Sequence, residues 1–402
     1  MSIELLSPAG SINKLETAVQ FGADAVYIGG TMFALRTASE NADFEQLKYG
    51  IEYAHNHNKK VYITTNIVAR NDDLKRFPNF LKQLEQTKAD AVIVTDFGLF
   101  SAVRELAPKL EIHVSTQANL LNYESCNAFY KMGAKRVVLA RELSFEEIAE
   151  IRAKTDKNLE LEAFVHGAMC VSFSGRCLLS DYMTARSANR GNCTQPCRFK
   201  YTLMEEKRPN EYMPVFEDEN GTFILNSKDL CMIEHIDKLA ECGITSFKIE
   251  GRVKSEFYVA TITAAYRRAI DDYLSGKPFN PQLIEEVCSV SHREYCKGFY
   301  FGNSIQNQVY ASSSYIRECD LIALVEKYEP ENNTVLCYHR NRFKVGEELE
   351  ILEPGGEVTK FILEKMTDKY GNILEEALHP EMELHVQTPK PILPHSIIRR
   401  RK

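Results

Sequence analysis

The feature that most constrains the fold is a repeated order of helix, small-residue turn and short β-branched run. Glycine after a helix is the usual C-cap, and short apolar runs bounded by turns suit buried parallel strands. Such a turn precedes four apolar runs, at 25–28, 91–94, 136–139 and 244–249. The repeat therefore predicts a parallel sheet whose strands are connected by helices.

Four further runs bring the number of candidate strands to eight: 3–6, 60–65, 111–115 and 159–165. Eight strands alternating with helices favour a TIM-like (β/α)8 barrel of the α/β class over an open sheet, which more often has about five to seven strands. In such a barrel the residues that follow each strand carry function. Polar residues in these positions include Asn66, Asp96, Gln117, Arg141, Glu142, His166, Glu250 and Arg252.

The spacing changes after the seventh run, because 167–240 is far longer than a usual connection between a strand and the next helix. We interpret 1–310 as a catalytic barrel domain that includes a cysteine-rich insertion at 167–240. From about residue 320 short runs alternate with turns, which predicts a small C-terminal β-barrel domain over 316–402. Its predicted strands are 321–325, 334–338, 347–352, 360–363 and 383–386.

Composition places the chain among ordinary globular proteins, with 44% apolar and 26% charged residues over 402 positions. The N-terminus has no basic and apolar signal segment, and no stretch approaches the roughly 20 apolar residues of a membrane span. We therefore expect a cytoplasmic protein without a membrane segment. The eleven cysteines fit reduced thiols or metal ligation better than a disulfide framework.

A net charge of −7 excludes a protein that coats nucleic acid with its whole surface. Two local patches are basic, however. Between Arg176 and Tyr201 five basic residues face the single acid Asp181, with aromatic rings interleaved, and the chain ends in four basic residues at 399–402. Such patches are typical of a polyanion site with rings for base stacking, or alternatively of a solvated loop and a charged tail.

The cysteines of the insertion are spaced as Cys170-x6-Cys177-x15-Cys193-x3-Cys197, with Cys231 further along. Thiolates are ligands for zinc or for iron–sulfur clusters. Structural zinc usually takes two close pairs, and only Cys193 and Cys197 approach such a pair, so the irregular spacing favours a cluster. Five unrelated buried thiols are the alternative. Five cysteines for four ligand positions leave one spare, and spacing alone does not say which.

Several segments resemble peptidase family U32, the collagenase-like peptidases. They are Glu162 to Cys170, Gly175 to Ser180, Asn226 to Cys231, Lys248 to Arg252 and Ser291 to Phe301. The resemblance covers essentially the whole chain. With the appended C-terminal barrel, it is strongest to the branch of prephenate-dependent tRNA uridine hydroxylases, although Cys296 stands where that pattern leads us to expect threonine.

The resemblance implies an RNA-binding enzyme of tRNA modification that forms 5-hydroxyuridine at the wobble position without molecular oxygen. It implies a [4Fe–4S] cluster on Cys170, Cys177, Cys193 and Cys231, with Cys197 as the alternative fourth ligand. Prephenate would be the co-substrate. The other partners would be the tRNA anticodon loop and a supply system for electrons or for the cluster.

Roles for further residues follow from that chemistry. Prephenate is a dianion, so charged side chains that form strong hydrogen bonds are candidates to bind it. The substrate-binding candidates are Arg252, Lys248, Arg141, Arg176 and Asn66. Glu162 and His166 have the same parity on a strand and with Glu250 are candidates for proton transfer; a core histidine and an ion-pairing carboxylate are the structural alternatives.

Two other functions compete with this reading. A U32-type peptidase is the first, although the sequence has neither an HExxH nor a GxSxG motif. Cys170 and His166 could be taken as nucleophile and base, but a thiolate that ligates a metal is not free to attack a peptide. The second is a zinc-stabilised RNA-binding module without catalysis, which the polar mouth of the barrel argues against.

Overall fold

A computed structural model describes residues 3–35, 39–170, 172–198, 217–218, 221–222, 227–302, 315–379 and 381–402. Phe199, Lys200 and Tyr201 of the basic stretch, and Asn226 of the family pattern, lie outside these residues. The chain divides into two compact units. The first consists of 1–16, 24–254 and 292–315, and the second of 17–23, 255–291 and 316–402.

The first unit contains a closed parallel barrel. Each of its eight strands pairs with the next, and the eighth also pairs with the first. The predicted (β/α)8 barrel is confirmed. The strands are Glu4–Ala9, Ala25–Gly29, Lys60–Thr65, Ala91–Val94, Glu111–Val114, Arg136–Val138, Glu160–Ala168 and Ser246–Ile249.

Helices alternate with these strands as the periodicity predicts. Their starts follow ordinary capping chemistry, since Asp43 and Ser144 each form a capping box with the third residue of the helix that follows. The helices after the first six strands are Ile12–Gln20, Phe44–Asn56, Asn71–Thr87, Phe97–Leu106, Tyr123–Lys131 and Phe145–Lys154. The helix before the eighth strand is Ile236–Glu241.

The insertion after the seventh strand returns to the barrel. Its strand Asp229–Cys231 pairs antiparallel with the end of the seventh strand, and Tyr295–Cys296 pairs with Asp229–Cys231 in turn. This pairing extends the seventh strand to Ala168, three residues beyond its predicted end. The described residues of the insertion also contain the helix Leu179–Thr184 and four short 3-10 turns, Phe173–Gly175, Ala188–Arg190, Pro196–Arg198 and Ile233–His235.

An ionic network fills one end of the barrel interior. Arg136, 4% exposed, donates from Nη1 to Glu4 Oε1 at 2.5 Å and to Glu162 Oε2 at 3.0 Å, and from Nη2 to Glu160 Oε2 at 2.6 Å. Lys248 Nζ donates to the other oxygen of Glu162 at 2.6 Å. Burial acts to raise the pKa of Glu162, but Lys248 and Arg136 outweigh it and lower that pKa. The carboxylate is therefore ionised although it is fully buried.

The second unit contains an eight-stranded antiparallel sheet and two helices, Glu256–Leu274 and Gln282–Cys288. In the described residues its two edge strands are not paired with each other, so the predicted C-terminal barrel is a half-barrel. In sheet order the strands are Val358–Ile362, Glu348–Leu352, Ile397–Arg401, Cys319–Glu329, Thr334–His339, Glu383–Gln387, Met366–Asp368 and Ile373–Leu374. Two-stranded pairs join Phe343–Lys344 to Glu376–Ala377 and, in the first unit, Glu217–Asp218 to Gly221–Thr222.

The chain end is a paired strand rather than a free charged tail, although Arg401 and Lys402 remain exposed. Residues 397–401 form a central strand of the half-barrel. Arg399 is fully buried there, with Nη1 2.9 Å from Glu286 Oε2 and Nε 2.8 Å from Glu350 Oε2. The next two arginines and Lys402 also contact carboxylates. The run looks like a polycationic tail because its acidic partners are distant in sequence.

The barrel network gives a stability prediction. Arg136→Met removes the cation and leaves Glu162 buried beside one remaining counterion, so we expect the free energy of unfolding to fall by about 3 to 5 kcal/mol. Lys75→Met is the control, because Lys75 forms an exposed ion pair with Asp72 and should change stability by less than about 0.5 kcal/mol. Urea unfolding followed by circular dichroism measures both. Equal stability of the two variants would contradict a structural role for Arg136.

Candidate functional site

A cavity of about 230 Å³ lies at the C-terminal end of the barrel strands. Its lining combines the ends of the barrel strands, the residues that follow them and the cysteine segment between Cys170 and Cys197, at the end of the barrel where the fold class predicts a site. Of the residues proposed from the sequence, Asn66, Arg141, Lys248, Glu250, Arg252, Cys170, Cys177, Cys193 and Cys197 line it. Glu162, His166, Arg176 and Cys231 lie outside its lining.

Arg141, after the sixth strand, spans one wall of the cavity. Its Nη1 donates to the carbonyl of Ala168 at 2.8 Å and its Nη2 to Glu250 Oε2 at 2.8 Å. The guanidinium also lies 3.8 Å from the ring centroid of Phe164. These contacts fix its orientation, and its buried Nε has no hydrogen-bond partner in the described residues. A polar ligand could accept that bond.

Arg252, after the eighth strand, is held by neutral oxygens. It donates to the carbonyl of Leu35 at 2.8 Å, to Thr64 Oγ1 at 3.0 Å and to Asn41 Oδ1 at 2.6 Å. Gly29 leaves the room that the guanidinium needs, because a Cβ at this position would lie 2.2 Å from Arg252 Nη2. The second strand therefore ends in glycine for a steric reason connected with the site.

Lys248 belongs both to the ionic network inside the barrel and to the lining of the cavity. Its ammonium is paired with Glu162 and lies 4.5 Å from the ring centroid of Tyr27. Glu162 itself contacts Arg136 and Lys248 rather than the cavity. In this arrangement Glu162 positions a cation instead of facing a ligand.

Gln117 is one of the polar residues that follow the barrel strands, but the sequence did not predict a specific role for it. It is 7% exposed and lines the cavity; its Nε2 donates to the carbonyl of Gly175 at a long 3.4 Å. Its Oε1 is buried without a hydrogen-bond partner in the described part of the chain. A buried amide with unused hydrogen-bonding capacity is expected to bind a polar ligand group, and sequence position alone gave no reason to prefer it to its neighbours.

Three cysteines at the cavity share one local conformation. The backbone N–H two residues further on donates to the sulfur of Cys170 at 3.4 Å, of Cys177 at 3.3 Å and of Cys193 at 3.4 Å. Hydrogen bonds to sulfur stabilise thiolate ligands and influence the potential of iron–sulfur clusters. These three sulfurs therefore have polar backbone contacts at the cavity rather than purely apolar packing.

The spacing of the sulfurs bears on which metal centre they fit. Zinc bound at about 2.3 Å to each thiolate brings all its sulfurs within about 4.6 Å of one another. Among the described residues no three cysteine sulfurs lie within 4.8 Å of one another. The described cysteines therefore do not form a preassembled tetrahedral zinc site.

The two candidates for a fourth ligand occupy different positions. Cys197 lines the cavity with the other three, whereas Cys231 is buried on the return strand Asp229–Cys231. In the antiparallel ladder Asp229 lies opposite Ala168 and Cys231 lies opposite His166. Residues opposite each other in a ladder lie on the same face of the sheet, and so do alternate residues of one strand. Cys231 therefore lies on the same face as Ala168, and Ala168 lines the cavity.

His166 is packed beneath this region. Its Nε2 lies 3.4 Å from the hydroxyl of Tyr295, whose ring stacks on His292. Burial lowers the pKa of His166 to about 3, and the nearby His292 and Lys254 act in the same direction. The imidazole is therefore neutral at physiological pH. Tyr295 is a contact that the sequence reasoning missed, because only the pairing of Tyr295–Cys296 with the return strand brings it near.

The remaining predicted residue, Arg176, is exposed on the outer side of the cysteine segment. Cysteines elsewhere in the chain differ in character from those at the cavity. Burial raises the pKa of Cys126 and Cys337 to about 12 and that of Cys242 to about 11, which keeps these thiols protonated.

Comparison with known proteins agrees with the sequence patterns. The profile of peptidase family U32 matches residues 10–309, and that of the U32 C-terminal domain matches 317–399. The chain belongs to peptidase family U32.

Relatives within this family carry different names. The chain is 38% identical to tRNA hydroxylation protein P1 of Bacillus subtilis, over 99% of this chain and 95% of the relative. It is 43% identical to an uncharacterized protease of Methanocaldococcus jannaschii, over 81% of each protein. It is 38% identical to the 23S rRNA 5-hydroxycytidine C2501 synthase of Escherichia coli, over 67% of this chain and 39% of the relative.

The fit between Gly29 and Arg252 is testable. Gly29→Ala places a methyl group against the guanidinium, and we expect it to lower the free energy of unfolding by about 1 to 3 kcal/mol. Gly30→Ala is a matched control, because the atom nearest to a Cβ there is 3.6 Å away. Urea unfolding compares the two variants. If Gly29→Ala were as stable as Gly30→Ala, the glycine would not be required by Arg252.

Proposed function

We propose that this protein is a tRNA-modifying hydroxylase that forms 5-hydroxyuridine at the wobble position, with prephenate as co-substrate, a [4Fe–4S] cluster as cofactor and no need for molecular oxygen. Hydroxylation of RNA is supported by the names of two relatives, one acting in tRNA hydroxylation and one forming 5-hydroxycytidine in rRNA. Prephenate and the cluster are supported by the family resemblance and by the chemistry of the cavity.

The observation that carries the proposal is the composition of the cavity at the barrel mouth. Thiols that accept backbone N–H bonds line it together with the cationic side chains of Arg141, Lys248 and Arg252. A redox group and an anion site in one cavity suit an oxidation that depends on an anionic co-substrate.

Cys170, Cys177 and Cys193 would hold the cluster, with Cys231 as the fourth ligand and Cys197 as the alternative. Replacing the C5–H bond of uridine by a C5–OH bond is a two-electron oxidation that requires an oxygen-atom donor and an acceptor for two electrons, and a bound cluster would supply a redox centre for their transfer. The protein would then also need an electron-transfer partner and a system that supplies the cluster itself. A substrate in tRNA implies a cytoplasmic enzyme.

Arg252 and Arg141 would bind the carboxylates of prephenate, and Lys248 and Asn66 would complete the polar wall. The unused Nε of Arg141 and Oε1 of Gln117 add a donor and an acceptor for a ligand. Glu250 would accept a proton at the cavity, since it is the carboxylate in the lining. Glu162 would position Lys248. The neutral His166 would stabilise the end of the seventh strand, opposite Cys231.

A wobble uridine suits such a cavity because it is unpaired in the free anticodon loop. Enzymes that modify a base need it outside the stack, and a loop nucleotide reaches that position at low cost. Its pyrimidine ring could then enter the barrel mouth.

A peptidase remains the second candidate because the family and one relative carry that name. Cleavage by Cys170 would need a histidine as its base. His166 is buried, has its pKa lowered by burial and lies against Tyr295. These contacts favour the hydroxylase.

The test is the tRNA nucleoside profile of a deletion strain, measured by mass spectrometry under anaerobic growth. A strain lacking this protein and any parallel enzyme should lose 5-hydroxyuridine, and the wild-type gene should restore it. Cys170→Ser and Cys231→Ser should fail to restore it, whereas Cys197→Ser should succeed. Full 5-hydroxyuridine in the deletion strain would contradict the proposed function, and the reverse behaviour of the last two variants would move the fourth ligand to Cys197.

A further inference from the structure

Two arginines on the outer side of the cysteine segment lack the ionic partners that occupy the other basic residues. Arg176 and Arg186 are exposed, and neither side chain has a hydrogen bond or ion pair in the described part of the chain. Arg190 of the same stretch instead binds Asp73 at 2.6 Å. Of the two basic patches in the sequence, the one at the chain end is neutralised and this one retains uncompensated charge.

Exposed aromatic and apolar side chains flank these arginines. Tyr182 is 81% exposed, Phe173 48% and Leu178 53%. Leu178 and Tyr182 are four residues apart at the helix Leu179–Thr184, so they lie on one face. Neither Phe173 nor Tyr182 has a ring contact in the described residues. We call the set Phe173, Arg176, Leu178, Tyr182 and Arg186 the rim surface.

The rim surface adjoins the cavity because residues of both alternate along the same segment of the chain. Ser174, Gly175, Cys177 and Leu179 line the cavity, while Phe173, Arg176 and Leu178, between and beside them, face solvent. Consecutive Cα atoms are about 3.8 Å apart, so a ligand on the rim is within a nucleotide's reach of the cavity. Two acids of this region contact other groups and form no ion pair with Arg176 or Arg186 in the described residues: Glu142 accepts from Ser174, and Asp181 accepts from the N–H of Ala188.

We propose that the rim surface binds the single-stranded RNA loop that carries the target base. Two uncompensated guanidinium groups suit phosphates, and two unpartnered rings suit the faces of unpaired bases, a combination typical of single-stranded nucleic-acid sites. The proposal rests on the proposed function for RNA as the ligand and goes beyond it by naming the surface. Loop nucleotides would stack on Tyr182 and Phe173 while the target base enters the cavity.

The experiment measures binding of a fluorescein-labelled RNA hairpin with a uridine in its loop to full-length protein, by anisotropy over a series of salt concentrations. Arg176→Gln with Arg186→Gln should weaken binding and reduce the slope of log K against log salt by about 0.7 per arginine. Tyr182→Ala should weaken binding roughly tenfold. The same sequence closed into a continuous duplex should bind less well.

Matched controls come from the second unit. Arg317→Gln removes an exposed arginine, and Tyr370→Ala removes a ring that is 78% exposed; neither should change affinity. Circular dichroism checks that every variant is folded. Unchanged hairpin affinity in the rim variants, or equal losses in the controls, would overturn the proposal.

The binding experiment and the nucleoside profile together distinguish failure of the rim proposal from failure of the proposed hydroxylase function. If the wild-type protein binds the hairpin and the rim variants do not, the surface stands even when no 5-hydroxyuridine is found in the nucleoside profile. If the profile supports hydroxylation while the rim variants bind normally, the RNA docks elsewhere and the rim proposal fails. A wild-type protein that does not bind the hairpin contradicts the rim proposal, and the nucleoside profile then decides the proposed function by itself.

Discussion

The buried contacts of Arg136 are the interaction on which the rest of the site depends. This side chain comes from the sixth strand and binds carboxylates of the first and seventh strands, and Lys248 of the eighth strand shares Glu162 with it. The strands that close the barrel are therefore held by one ionic network as well as by their backbone ladder. The same network sets the position of Lys248 in the cavity wall, so the charge of the site follows from how the barrel closes. Removing one partner leaves an uncompensated charge in the interior, which is much costlier than losing a surface pair.

The cysteine insertion is tied to the barrel at two points. It leaves from the end of the seventh strand, and its strand Asp229–Cys231 returns to pair with that same end. Cys170 and Cys231 are far apart in sequence, but this return brings Cys231 opposite His166, near the end of the strand that Cys170 follows. The segment between them turns residues such as Cys177 towards the cavity and residues such as Arg176 towards solvent. One segment thus places thiols at the cavity and a charged, aromatic surface in solvent.

Local periodicity was sufficient to predict the barrel, because each strand is a buried apolar run that glycine turns separate from its helices. The three cysteines with N–H···S bonds were also identified in advance, since clustering of thiols is visible in the sequence. Other features depend on partners far away in the chain. Arg399 belongs to a buried strand only because Glu286 and Glu350 neutralise it, and Gln117 stands out only because its Oε1 is buried and unused. Tyr295 reaches His166 only through the return strand, which no local pattern specifies.

The central claim is that the cysteine segment and the cationic cavity form one site. The most direct measurement is the electron paramagnetic resonance spectrum of the anaerobically purified, reduced protein with and without prephenate. If the cluster borders the cavity, prephenate should shift the g values of its signal, and Arg252→Gln should remove that shift while leaving the iron and sulfide content unchanged. Protein that contains zinc without iron and sulfide, or a cluster signal that saturating prephenate leaves unchanged, would contradict the account.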